Sequence, residues 1–456
     1  MLLSRHNLLK KLRNWSETRG ISEKFYLVGG SVRDLLLGNF PSDIDVAVES
    51  DSMRLARTFA AEAGARLVVL SKEFQSVRVV QNGEHLDFSD LRAESLENDL
   101  KARDFTIDAI ALPIRAVNLN KQIIDPCNGL ADLNSGIIRM IAEKNICEDP
   151  LRLLRAFRIE AVLGFSVEEK TAQAIKRHAH LITGIAGERI FTELKAILAC
   201  SNSSQTVEAM AETGLLPWIF SKSGTTCKHV PNVLPRESRQ AAYREVEGIL
   251  SNLNEHFEDS LPIETYFRDP KHRLLLKLAV LLYDVERPKS LSEADSLVRR
   301  VAARLKISRI EISYLEQIIP RQSQVQQLLE SQDHQRKTLL VRLIRQLGND
   351  IYALVVFNLA ITKYTTKTQK ALFAAVQHLM QIYHQEVLPR LNNPRLITGD
   401  DIIMEFAIDP SPVIGEILDN VDQAYLKGSI NSRQEAVELA RKILSDKKLG
   451  YNQKNT

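Results

Sequence analysis

The stretch YLVGGSVRDLLLGNFPSDIDVAVESD, residues 26–51, decides how the chain is read. A short apolar run ends at Gly29 and Gly30, and SVRDLLLG after the pair reads as a helix. Glycine at a strand-to-helix junction lets backbone approach a ligand closely and leaves N–H groups free at the helix start, a cradle for phosphate. Arg33 lies one turn in, within reach of the same anion. DIDVAV then reads as a strand on which Asp43 and Asp45 share one face while Ile44 and Val46 take the other. Two carboxylates side by side repel, and one or two Mg2+ ions carrying a nucleoside triphosphate would relieve the repulsion. Taken singly, the glycine pair also reads as an ordinary turn and the Asp-x-Asp as a solvated strand face. Their order, with LDFSDLR at 86–92 further on, favours a site; Asp87 is either a third carboxylate or an edge-strand charge.

Outward from this stretch, strand-like segments are confined to the first third: KFYLVGG, DIDVAV, ARLVVL, SVRVVQ, HLDFSDL and AIALPIR. Beyond residue 145 the pattern is helical, as in DPLRLLRAFRIEAVLGF and QEAVELARKILSDKK. Strands first and helices afterwards predict an α+β protein, a small head with a mixed sheet followed by helical domains. Pro with Gly or Asn marks linkers at 221–238 and 388–401. With 456 residues, 44% hydrophobic and 26% charged, the chain has the balance of a globular protein. No apolar run reaches the roughly 18 residues of a membrane span, and the N-terminal residues lack a signal-peptide core. Cysteines 127, 147, 200 and 227 have no metal-site spacing and read as buried thiols in a reducing compartment. A cytoplasmic protein is the expectation. A net charge of +3 does not announce a nucleic-acid binder, but residues 271–310 hold ten Lys/Arg against four Asp/Glu. That stretch is either a positive track for phosphates or a set of solvated helix faces.

GGSVRD…DIDVAV resembles the first motif of the class II tRNA nucleotidyltransferases and bacterial poly(A) polymerases. The resemblance continues in order through KARDFTIDAIAL, IIDPCNGLADL, CEDPLRLLRAFRIEAVLGF and GERIFTELKAIL, and through LITGDD…RKIL at 396–444. It implies a nucleotidyltransferase head (1–140), a helical neck that selects the base (141–200), a helical body (201–387) and a helical tail (388–456). The implied reaction is attack of an RNA 3′ hydroxyl on the α-phosphate of CTP or ATP, with pyrophosphate leaving and a two-metal Mg2+ site assisting. Asp43 and Asp45 would bind the metals, with Asp87 as a third catalytic carboxylate, and Gly29, Gly30 and Arg33 would hold the triphosphate. Glu148, Asp149 and Arg152 match the family's E-D-x-x-R element. Cytosine and adenine both present an amine donor beside a ring-nitrogen acceptor, which a carboxylate and a guanidinium can pair; uracil and guanine mispair there. Asp149-Pro150 also reads as a plain helix start. Arg155 and Arg158 contact phosphate or pair with acids, while Glu188, Arg189 and Glu193 brace the neck. Arg103 and Asp104 would contact the sugar. Lys271, Arg273, Arg299, Arg300, Arg342 and Arg345 are the candidates for tRNA contacts.

Three departures from the family pattern matter. Ala102 and Asp108 stand where common members have Arg and Asn. LDFSDLRAESLENDLKARDF passes almost directly from strand to sugar motif, without the flexible segment carried by members that build the whole CCA end. LLLKLAVLLYDVERP resembles a phosphohydrolase segment with Tyr283-Asp284 in place of His-Asp, and tyrosine is a poor substitute for an imidazole ligand. The expectation is addition of CC to tRNA, a separate A-adding enzyme completing the end. The alternatives are a full CCA-adding enzyme, an A-adding enzyme, a poly(A) polymerase, and an inactive tRNA-binding protein.

Overall fold

All six strand-like segments pair into one sheet: β1 (Phe25–Val28), β2 (Ile44–Val48), β3 (Arg66–Ser71), β4 (Ser76–Gln81), β5 (Glu84–Asp90) and β6 (Ala111–Pro113), in the order β3-β4-β5-β2-β1-β6. The computed structural model describes residues 6–41, 43–49, 51–71, 76–116, 122–221, 236–257, 261–283, 291–322, 324–325, 327, 333–362 and 380–453. β2 and β5 run parallel and every other pair is antiparallel, a mixed sheet. The two-residue turn between β4 and β5 is Asn82-Gly83, both at positive φ, the primed hairpin turn that matches strand twist.

Period-two alternation sets the faces. Ile44, Val46, Val77, Val79, Leu86 and Phe88 are buried toward helices α1 (Asn7–Thr18) and α3 (Ser52–Ala63), where Trp15, Phe25, Phe59 and Phe88 meet edge-on or tilted. Residues of the opposite parity fall in register across three strands: Asp45 opposite Asp87, and Asp87 opposite Arg78. Asp87 therefore lies on an interior strand of the sheet, which removes the edge-strand reading. Asp43 stands just ahead of β2 and not within it, because the ladder begins at Ile44.

Within the head, α4 (Leu96–Lys101) follows β5 and α5 (Gly129–Ser135) follows β6; α6 (Glu143–Glu148), α7 (Arg152–Leu163), α8 (Glu169–His178) and α9 (Gly187–Ala199) come after it. Gly129 has no alternative: a Cβ there would lie 2.0 Å from the Thr106 carbonyl oxygen. The helical reading beyond 145 misses one strand, Ser166–Val167, which pairs in parallel with Ile137–Ile138.

The chain forms two compact units, Met1–Val230 with Arg304–Lys306, and Pro231–Ala303 with Ile307–Thr456. The head and neck ranges both lie in the first. The second is helical in its described residues, and its tail carries a core of its own from Ile397, Ile402, Ile417, Val421, Ala436 and Ala440. Lys277, which interrupts LLLKLAVLLY, is buried with Glu247 at 2.6 Å. Tyr283 packs edge-on against Phe357 in the same core, and Asp284 lies outside the described residues. No described helix is long and apolar enough to cross a membrane. The three described cysteines are free thiols but are not buried: Cys127 and Cys200 are half-buried and Cys147 is exposed.

Candidate active site

The glycine pair is built as a junction. Gly29 has φ +67° and ψ −141°, a region open essentially to glycine alone. A Cβ on it would sit 2.9 Å from Arg103 Nη1 and 3.7 Å from Asp45 Oδ2, so Gly29, Asp45 and Arg103 share one corner. Ser31, buried at the start of α2 (Gly30–Leu36), fixes the strand beside it. Its hydroxyl donates to the Asp43 carbonyl (3.1 Å) and accepts from the Asp45 N–H (2.7 Å).

Three carboxylates face this corner. Burial pushes the Asp45 carboxyl up to about 6; Arg103 opposes the rise, while Asp87 and Asp43 add to it. Asp43 is largely exposed, with Oδ1 2.7 Å from His85 Nε2 and 3.4 Å from Arg78 Nη2. Arg78 grips Asp87 with both arms, Nε to Oδ1 at 2.6 Å and Nη2 to Oδ2 at 2.7 Å. Asp87 thus stands next to the aspartate pair with Arg78 as its partner. The donor set fits a hard cation nonetheless. No group of three or more His, Cys, Asp or Glu side chains gathers for a metal among the described residues. Mg2+ is commonly held by one or two carboxylates together with substrate phosphates, and Asp43 and Asp45 provide such a pair.

Arg33 lies beside the glycine pair, where a Cβ on Gly30 would meet its Nη2 at 3.3 Å, and two acids engage it there. Its Nη1 donates to Asp108 Oδ1 (2.7 Å), and its Nε and Nη2 donate to Asp34 Oδ1 (3.0 and 2.9 Å). Burial lowers its basicity, but the two acids outweigh this and hold the guanidinium firmly charged. Burial in turn raises the Asp108 carboxyl against the pull of Arg33. Two guanidiniums therefore flank the glycine pair, Arg33 at Gly30 and Arg103 at Gly29, the latter assigned to the sugar by the sequence reading.

Asp104 is buried, with Oδ2 3.2 Å from Arg155 Nε. Burial works to raise its carboxyl, and the charges of Arg155 and Arg152 reverse the balance, leaving it below the usual range. Arg158 pairs with Glu193 at 3.0 Å. Arg155 and Arg158 thus pair with acids in this structure, and Glu193 and Arg189 act as braces.

The E-D-x-x-R residues sit beside the sugar motif. Arg152 is buried and donates through Nη1 to the carbonyls of Asn145 (2.9 Å) and Ala102 (3.1 Å). Asn145 also donates to the carbonyls of Lys101 (2.9 Å) and Arg103 (2.7 Å). Asp149 stands in the turn that leads into α7, whose N-cap is Leu151. Oδ1 accepts from the Leu151 N–H (3.3 Å) at the helix start, and Oδ2 accepts from Arg189 (2.9 Å), which orients the carboxylate. Glu148, the last residue of α6, is exposed.

In the second unit, Arg273 donates to the carbonyls of Phe267 (2.6 Å) and Leu250 (3.3 Å), which makes it a cap. Arg299 pairs with Glu316 (2.7 Å), whereas Lys271, Arg300 and Arg342 are exposed. The Arg345 side chain lies outside the described residues. Sequence reasoning missed Ser31, Arg78, His85, Asp99 and Asn145. Only Asp99 carried a sequence signal, the i,i+4 spacing to Arg103.

Residues 25–139 match the poly A polymerase head domain, and residues 164–223 match the probable RNA and SrmB-binding site of polymerase A. A CC-adding tRNA nucleotidyltransferase from Synechocystis is 31% identical over 91% of this chain and 93% of its own. An A-adding tRNA nucleotidyltransferase from Deinococcus radiodurans is 28% identical over 90% and 93%. The Thermotoga maritima CCA-adding enzyme complexed with tRNA superimposes with a TM-score of 0.68 at 23% identity, covering 96% of this chain and 95% of that one. A mixed-sheet head with paired aspartates beside a glycine junction defines the class, enzymes of nucleotidyl transfer. Within that class, the chain belongs to the family of tRNA nucleotidyltransferases and poly(A) polymerase heads.

Proposed function

We propose that this enzyme adds cytidines to the 3′ end of tRNA and stops after CC. The observation that carries the proposal is the connection from β5 to α4, which is the five residues Leu91–Ser95. It is tied down along its length. The Leu91 N–H donates to the Val48 carbonyl (2.9 Å), the Arg92 N–H donates to Asp99 Oδ1 (2.9 Å), and Ser95 caps α4 through the Asn98 N–H. A segment this short and this anchored has no slack with which to re-form the pocket for a second base. The Synechocystis relative, similar over nearly the whole chain, carries the CC-adding name.

In this reading Gly29 gives the triphosphate room to approach the backbone, and Arg103 meets its charge from the side. Asp43 and Asp45 would hold Mg2+, which when bound lowers the pKa of the attacking hydroxyl and offsets charge on the departing phosphates. Asp149 accepts from the cytosine amine, held in place by Arg189. Arg152, anchored through Nη1 alone, donates to the ring nitrogen with its remaining N–H groups. A base with a carbonyl and a ring N–H at these positions leaves both groups mispaired in a partly desolvated site, which costs a few kcal/mol.

The test is incorporation into tRNA transcripts ending before CCA, after C and after CC, each given CTP, ATP or both with Mg2+, at single-nucleotide resolution. Growth that stops after CC, with ATP refused by the CC-ended transcript, supports the proposal. Ends reaching CCA, addition of A alone, or long adenosine tails overturn it in favour of the corresponding enzyme. No Mg2+-dependent incorporation at all would leave a tRNA-binding protein.

A further inference from the structure

We infer that Asp99 is a positioning residue that couples the β5–α4 connection to the triphosphate side of the site. Its carboxylate is buried and bridges two groups that are otherwise separate. Oδ1 accepts from the backbone N–H of Arg92, inside the connection, at 2.9 Å. Oδ2 accepts from Arg103 Nη2 at 3.1 Å and Nε at 3.3 Å. The far arm of that guanidinium, Nη1, is the atom a side chain at Gly29 would strike, and its charge is the one that opposes the rise of the Asp45 carboxyl.

Arg103 is therefore held by one edge and presents the other. A guanidinium on a long side chain loses rotational freedom whenever it is fixed, and fixing it before the nucleotide arrives reduces what binding must supply. The same carboxylate fastens Arg92, so the position of the connection and the aim of Arg103 are set by one group. A longer or looser connection would release one of the two bonds and leave Arg103 with a wider choice of positions. The inference deepens the CC-adding reading, since it supplies a physical route from segment length to a single pocket state.

The experiment is a double-mutant cycle on incorporation of the first C from CTP. Asp99→Asn keeps the size of the side chain and an acceptor for Arg92 but loses the charge that holds Arg103. The expected result is a KM for CTP about tenfold higher with kcat changed less than about threefold, the pattern of lost ground-state positioning. In an Arg103→Ala background the same substitution should change kcat/KM by less than about threefold, because its effect passes through Arg103. An unchanged KM, or an equal loss in both backgrounds, overturns the inference. Should Asp99→Asn not fold, insertion of Gly-Gly between Ala93 and Glu94 loosens the same tie without touching a site residue. It should raise KM for CTP at least about threefold, and an unchanged KM again overturns the inference. Addition of ATP to CC-ended tRNA by the unaltered enzyme would sink the CC-adding reading while leaving the result of the cycle standing.

Discussion

Replacing Asp45 by Asn should stabilise the first unit while it abolishes catalysis, and the gain should depend on pH in a calculable way. The Asp45 carboxyl, ordinarily near 3.8, is pushed up to about 6 by burial and by its acidic neighbours. A carboxyl raised on folding binds its proton more readily in the folded chain, so the stability it allows is greatest in acid and falls as pH rises through this window. With these two values the ionised group opposes folding by about 1.6 kcal/mol at pH 5 and about 3 kcal/mol at pH 8. An asparagine does not titrate, so the stability gap between variant and parent should widen by about 1.4 kcal/mol from pH 5 to pH 8. Urea unfolding in EDTA measures it. Trp15 and Trp218 both lie in the first unit, so tryptophan fluorescence reports that unit alone. Mg2+ at pH 8 should then narrow the gap, because it stabilises only the protein that still has the aspartate pair. A gap that is constant with pH, or that narrows toward pH 8 without metal, would refute the reasoning.

Five other substitutions separate structural roles from proposed ones. Gly29→Ala puts an L residue at φ +67° with its Cβ 2.9 Å from Arg103 Nη1, so urea midpoints should show a loss of about 1–3 kcal/mol and KM for CTP should rise. Arg152→Ala removes the proposed ring-nitrogen donor and should lower kcat/KM for CTP about 10- to 100-fold while UTP loses less, read by competitive incorporation. Arg273→Ala should lower Tm through lost capping of Phe267 and Leu250 while the salt slope of tRNA binding stays unchanged. Lys271→Ala and Arg300→Ala should each flatten that slope by up to about 0.9 in log K against log salt, and an unchanged slope removes them from the interface.

The sequence by itself determined the sheet strands and pointed to the candidate site. Strand and helix periods are local properties, and each of the six segments needed only its own alternation and flanking turn residues to be read. The glycine pair, the Asp-x-Asp and E-D-x-x-R were legible for the same reason, being short runs with fixed internal spacing. The pairing of charges belonged to the tertiary structure. Asp87 and Arg78 are opposite one another only because β4 and β5 adopt one register, and a slip of one residue would send every side chain to the other face. Arg33, beside Gly30, found Asp108, 75 residues away, and Arg103 came to Gly29, aimed by Asp99 from the neighbouring turn of helix. Arg273 turned inward as a cap, while Lys277 was accepted into an apolar helix because Glu247 meets it there. A sequence states which charges exist; their partners are fixed by which surfaces pack. Burial then decides the outcome, since an ionised group removed from water must find a counter-charge or hydrogen-bond partners, or shift its pKa.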